Sequence, residues 1–190
     1  MFRNHIYLYK LFKNPNTAKM NKLFLSVFLI ISLNTQAQKH SFIYNYIEKL
    51  GLTAINTMHD SKIPASVIMA IAIEESAAGT SEVAMNANNH FGLKAGSAYK
   101  GQTYRTKGNS VYRAFENEKL SYEAFASVLM NNKNQYGFLF KYSKTDYKNW
   151  VKGIAKSGYC QGDSGYAKRL IEIIEEHELY HFDECFWEFK

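Results

Sequence analysis

From Ile63 to Gly79 the chain reads IPASVIMAIAIEESAAG, an apolar run with almost no polar interruption before its acidic pair. Val67, Ile68, Ala70, Ile71, Ala72 and Ile73 give apolar character on nearly every face of a helix, which predicts a helix buried all round. Pro64 suits its first turn, where a missing N–H costs nothing. Glu74 and Glu75 come at the end of this run and precede Ser76-Ala77-Ala78-Gly79, small residues that end the helix and leave room for something to approach. Neighbouring helix positions are rotated by about 100°. At most one of the two carboxylates therefore points squarely into a cleft, and the other faces solvent or a partner.

The same reading organises the rest of the chain. Ser41 to His59 has helical spacing, with Ile43, Tyr46, Ile47 and Leu50 on one face, and Ser81 to Asn86 predicts a short helix that leads into Asn88-Asn89-His90-Phe91-Gly92-Leu93-Lys94. Between Gly96 and Phe115 the character changes: Tyr99, Thr103, Tyr104, Thr106, Val111 and Tyr112 favour strands, and Lys107-Gly108-Asn109 offers the turn of a small hairpin. Helical spacing returns at Leu120, Ala124, Phe125, Val128 and Leu129, with Ser121 as the expected cap. It continues at Trp150, Val151, Ile154 and Ala155 up to Ser157-Gly158, and from Tyr166 to His177 with Leu170, Ile171 and Ile174 inward. The expected class is a mainly helical α+β domain with one inserted hairpin.

Composition changes this picture mainly at the beginning of the chain. Met20-Asn21-Lys22, the apolar run Leu23 to Leu33 and the small residues near Ala37 read as a secretory signal peptide preceded by an extension. The apolar run is shorter than the roughly 18 to 20 residues a spanning helix needs. Residues 1–37 are accordingly set apart from a domain at 38–190 with a core at about 60–183. The sequence carries 23 bases and 17 acids, but the first 37 residues hold Arg3, Lys10, Lys13, Lys19 and Lys22 and no acid. The remainder is nearly neutral at +1, and no basic stripe follows it that would suit a nucleic acid. Cys160 and Cys185 are compatible with one disulfide or with two free thiols, and they make a poor zinc site.

Four segments together carry a resemblance. Ile63-Pro64-Ala65-Ser66-Val67 opens the helix. Ala72-Ile73-Glu74-Glu75-Ser76-Ala77-Ala78-Gly79-Thr80-Ser81 is similar to Ala-Ile-Leu-Glu-Ser-Gly-Trp-Gly-x-Ser, and Asn88-Asn89-His90-Phe91-Gly92-Leu93-Lys94 to Asn-Asn-Leu-Phe-Gly-Ile-Lys. Gly158-Tyr159 with Tyr166-Ala167 completes the set. In this order they resemble the glucosaminidases of bacterial cell walls, glycoside hydrolase family 73, over about Ile63 to Asp183. The resemblance implies a lysozyme-like fold with a hairpin lobe, and hydrolysis of the β-1,4 bond between N-acetylglucosamine and N-acetylmuramic acid in peptidoglycan glycan strands. It selects Glu75 as the general acid and implies that Asn88, Asn89, Phe91 and Tyr159 hold the sugar. It implies no metal and no cofactor; with the leader and the near-neutral charge, the expectation is an exported monomer with no nucleic-acid partner and no stable membrane insertion once the signal is removed.

The chain departs from the pattern twice. Ala77-Ala78 replaces Gly-Trp, which removes an aromatic wall. Many relatives carry a second acid in the hairpin, yet here the stretch reads Thr103-Tyr104-Arg105-Thr106, and no acid lies between Glu82 and Glu116. Glycosidases ordinarily use two carboxyls roughly 5 to 9.5 Å apart, while substrate-assisted enzymes let the 2-acetamido group attack. Glu116 and Glu118 are the fallback acids. The rival expectations are a lytic transglycosylase-like enzyme, and a peptidoglycan-binding module that kept the fold without turnover.

Overall fold

A computed structural model describes residues 41–160 and 162–185. The chain divides into two units, 1–42 and 43–190, and the first contributes only residues 41 and 42 to the described part. The expected leader of residues 1–37 lies outside the described residues. Helix α1 covers residues 41–61 and turns Ile43, Tyr46, Leu50, Ala54 and Met58 inward, the spacing of one apolar stripe.

Helix α2, Ala65–Ser76, has no such stripe, because every residue from Ala65 to Ile73 is buried. It packs against α6 (Tyr147–Lys156), α7 (Tyr166–Glu176) and a closing 3-10 turn, Leu179–Glu184. Ile68, Met69 and Ile71 are fully buried, each worth about 1.5–3 kcal/mol of apolar transfer. Pro64 stands at the N-cap, one residue before the first turn expected for it, and makes no side-chain cap. Asp183 supplies the acceptor instead. Its Oδ1 accepts the Ser66 backbone N–H at 2.8 Å and its Oδ2 accepts the Ser66 hydroxyl at 2.6 Å. Burial, the larger effect, pushes the Asp183 carboxyl up to about 6 although the Ser66 bonds pull it down.

Short helix α3, Glu82–Ala87, is capped by Ser81, whose hydroxyl accepts the Ala84 N–H. Strands β1 (Thr103–Arg105) and β2 (Val111–Arg113) pair antiparallel with Tyr104 opposite Tyr112. Lys94 adds a bridge to Tyr112, which joins the 88–94 loop to the hairpin. Helix α4, Glu118–Asn131, starts earlier than Ser121 suggested: the Asn117 side chain accepts the Leu120 N–H at 3.1 Å. Ser121 lies inside the first turn and donates to the Glu118 carbonyl. Next come α5 (Lys133–Tyr136) and a 3-10 segment, Gly137–Lys141, both too short to display a period in the sequence.

The architecture is the mainly helical α+β one expected, with the hairpin as its small second lobe. Among the described residues no helix is long and apolar enough to cross a membrane. Cys160 and Cys185 are free thiols directed at the carbonyls of Ala155 and His181, so the unbridged of the two arrangements is present.

Candidate active site

Helix α2 stops at Ser76 because Ala77, Ala78 and Gly79 take left-handed conformations in succession, with φ of 50°, 51° and 81°. The N–H groups of Ala77 and Ala78 both return to the Ile73 carbonyl, closing the helix end. Left-handed geometry costs an alanine roughly 1–2 kcal/mol, and Ala77 stands where the resembling pattern has glycine. The site thus holds a strained turn directly after its acid. At Gly79 a Cβ would lie 2.9 Å from the Tyr46 ring, so a side chain does not fit there.

The rotation of about 100° between neighbouring positions of α2 separates the two glutamates. Glu75 stays open to solvent, yet protein atoms crowd its remaining sides. Burial by those neighbours is the largest influence on its carboxyl and raises it above the ordinary carboxylate value; the nearby Glu74 charge adds to the rise. A hydrogen bond from Tyr166 and the Arg169 charge oppose it. Tyr166 donates its hydroxyl to Glu75 Oε1 at 2.9 Å. Glu74 faces away into an ion pair: its Oε1 accepts from Arg169 Nε at 2.6 Å, and Arg169 Nη2 reaches Asp163 Oδ2 at 2.6 Å. Asp163 also accepts the Gly165 N–H at 2.9 Å, as a turn acid does.

The 88–94 loop backs the other carboxylate oxygen. Gly92 has φ of 59°, and a Cβ there would sit 3.9 Å from Glu75 Oε2. Asn88 is left-handed at the end of α3, half-buried, and donates from Nδ2 to the Phe115 carbonyl. Asn89 is buried and spends its amide inside the protein: Nδ2 donates to the carbonyls of Leu93 and Arg113, and Oδ1 accepts the Leu93 N–H. Phe91 is likewise buried, stacked on Phe125 at 4.3 Å with Tyr122 edge-on. Asn89 and Phe91, expected to hold the sugar, therefore brace the loop from within and present no free polar group or face to a ligand. His90 is buried beside them with Nδ1 2.8 Å from the Tyr46 hydroxyl, and burial pushes its imidazole down to about 4.

Tyr159 is half-buried, edge-on to Phe125 at 6.0 Å and 6.2 Å from the Tyr166 ring. Its hydroxyl is buried without a partner among the described residues. An aromatic series thus runs from Phe91 through Phe125, Tyr159 and Tyr166 to Glu75. The sequence marked Tyr166 only as part of a matching segment. Its place beside Glu75 has no signal in the sequence, because a tyrosine at a helix start is equally well a packing residue.

Among the described residues Glu74 is the acid whose charge acts on Glu75, and it is held in the Arg169 ion pair. The Arg169 charge acts on Glu75 as well. Glu118 is committed to Lys49 at 2.6 Å, which holds its carboxyl below the usual range, and Glu116 is exposed. Among the described residues no group of three His, Cys, Asp or Glu side chains is placed to hold a metal ion.

The chain is similar to several known proteins. The exo-glucosaminidase LytG of Bacillus subtilis is 31% identical over 134 residues, 63% of this chain and 46% of LytG. An N-acetylmuramoyl-L-alanine amidase domain-containing protein of Staphylococcus aureus is 29% identical over 153 residues, 73% of this chain and 24% of that protein. The chain spans less than half the length of either relative. The catalytic domain of the autolysin Auto from Listeria monocytogenes superposes with a TM-score of 0.59 at 21% identity, covering 74% of this chain and 87% of that one. That likeness speaks for the fold, which is the lysozyme-like one expected. The family model described as mannosyl-glycoprotein endo-beta-N-acetylglucosaminidase matches residues 51–179. Most of the domain lies within that match, and the chain belongs to the glucosaminidase family.

Proposed function

We propose that the protein is an exported peptidoglycan hydrolase that cleaves the β-1,4 bond between N-acetylglucosamine and N-acetylmuramic acid, with Glu75 as general acid. One observation carries the reading. Glu75 is the acid at the end of the buried helix whose carboxyl is raised by its surroundings while remaining open to solvent. A glycosidic oxygen must be protonated as it leaves, and a raised carboxyl keeps the proton for that step nearer neutral pH. Tyr166 occupies Oε1, which leaves Oε2, on the Gly92 side, to carry the proton.

Among the described residues the acid acting on Glu75 is Glu74, which Arg169 holds, so in this reading attack on the anomeric carbon falls to the substrate's 2-acetamido group, and water then opens the intermediate. Glu75, deprotonated after the first step, takes the proton from that water. Asn88 and Tyr159, which keep surface toward solvent, are the sugar contacts in this reading. Asn89 and Phe91 act on the sugar through the loop they brace. Family membership and the LytG relative support peptidoglycan as the substrate, and the leader-like start of the sequence supports export.

A zymogram on purified peptidoglycan tests this. Wild type clears the wall, and Glu75→Gln loses about 10²- to 10⁴-fold of the turnover, the usual contribution of a general acid. If Glu116→Gln or Glu118→Gln lost as much, the one-carboxylate mechanism would be wrong. The single acid also favours a second reading, a lytic transglycosylase-like reaction in which the muramyl 6-hydroxyl attacks. Mass spectrometry separates the two: anhydromuramyl ends indicate transglycosylation, and reducing N-acetylglucosamine ends indicate hydrolysis.

A further inference from the structure

Residues 41–190 carry 17 bases and 17 acids, yet the charges are segregated. From 83 to 115 there are five bases, Lys94, Lys100, Arg105, Lys107 and Arg113, and no acid. Elsewhere Lys49, Lys119, Lys148, Lys168 and Arg169 each pair with a carboxylate. Among the described residues none of the five hairpin-lobe bases does. Four of them are exposed and Arg113 is half-buried.

The hairpin register puts two of these charges on one face. Thr103 opposes Arg113 and Arg105 opposes Val111; directly opposed residues share a face, so Arg105 and Arg113 are diagonal neighbours, typically about 7–8 Å apart. Each guanidinium is tethered rather than neutralised. Arg113 lies over the Tyr99 ring at 4.8 Å and donates from Nε to the Lys94 carbonyl, and Arg105 donates from Nη1 to the Asn109 carbonyl. A guanidinium has five N–H donors, so these bonds orient the two forks and leave most donors open. Two like charges held on one face repel each other unless an anion lies between them. A planar fork with parallel N–H groups matches a carboxylate. The face also adjoins the cleft: Lys94, whose carbonyl holds Arg113, comes two residues after Gly92, which backs Glu75.

We propose that the Arg105–Arg113 face of the hairpin is a binding site for carboxylates, occupied by the free carboxylates of the peptides carried on the glycan strand. This inference rests on the peptidoglycan reading above, and it makes the protein prefer peptide-bearing strands over bare ones. The chain then carries a substrate-binding charge in the hairpin where many relatives carry an acid.

The test is binding of full-length Glu75→Gln protein, which leaves the polymer intact, to two probes. One is peptidoglycan freed of phosphate polymers, and the other is the same material stripped of peptides by an amidase. Adding Arg105→Gln and Arg113→Gln weakens binding to peptide-bearing material roughly tenfold, as two exposed pairs allow, and leaves binding to stripped strands unchanged. Replacing both by Lys restores part of the affinity, and the difference between probes shrinks as salt is raised. Arg105→Gln alone, at an exposed position, gives a smaller loss of the same kind with circular dichroism unchanged. Equal weakening on both probes, or none on either, overturns the proposal. So does weakening that needs phosphate polymers on the wall. Wild-type zymography fails or succeeds separately: clearing without a peptide preference defeats this inference alone, and peptide preference without clearing defeats only the hydrolysis reading.

Discussion

Tyr166 reaches Glu75 across 91 positions of sequence and donates its hydroxyl to Oε1 at 2.9 Å. The bond does two things at once. It favours the ionised carboxylate and so moderates the rise imposed by burial, and it fixes which oxygen remains for the substrate.

Replacing Tyr166 by Phe separates these effects. Without the donor, Glu75 rises further, so the alkaline limb of the pH–rate profile moves to higher pH. The loosened carboxyl costs about tenfold in turnover, less than the 10²- to 10⁴-fold that general-acid catalysis supplies. Steady-state kinetics across pH checks both, and an unchanged profile with unchanged turnover would remove Tyr166 from the mechanism.

Arg169 gives a second pH prediction, because it lies between Glu74 and Asp163 at 2.6 Å from each. The Glu74 charge raises Glu75 and the Arg169 charge lowers it. Arg169→Gln leaves the Glu74 charge uncompensated, and the alkaline limb shifts upward. Adding Glu74→Gln in the same chain moves the limb back toward wild type. If the double variant keeps the shift, the ion pair serves only to hold Asp163 against α7 and does not tune the acid.

Two buried groups, Asp183 and His90, set opposite slopes in stability. Asp183 sits at about 6 in the fold against an ordinary 3.8, so between these values the folded state binds more protons than the unfolded one. Its contribution is therefore greatest at low pH and falls as pH rises through that window, by about 3 kcal/mol at most. His90, at about 4 against 6.5, does the reverse: the unfolded chain binds the extra proton, and stability falls as pH drops from 6.5 to 4. Thermal melts between pH 4 and 7 should show Asp183→Asn losing less stability than wild type as pH rises. His90→Gln should lose less as pH falls. Parallel curves for wild type and both variants would contradict these assignments.

Much of the domain is legible in its residues because it is encoded locally. An unbroken apolar run predicts that α2 is buried on every side, Lys107-Gly108-Asn109 between strand formers predicts the hairpin, and the pair Glu74-Glu75 is marked by its place at the end of that run, with Glu75 selected by the resemblance to the glucosaminidases. Caps and contacts are less legible. Asn117, not Ser121, caps α4, since both residue types suit the position and only the path of the entering chain selects one. Asn89 and Phe91 sit in a motif that resembles a sugar-binding loop, yet their side chains turn inward to hold that loop.

Patterns of polarity and turn chemistry were enough to establish a helical domain, its hairpin and a candidate acidic pair, since each depends on residues within a few positions of one another. Packing alone determined that Asp183 caps α2, that Arg169 draws Glu74 away, and that Tyr166 meets Glu75. Those pairs are 117, 95 and 91 residues apart. At such separations no local period records the partner, and the contact exists only once the helices have closed on a common core.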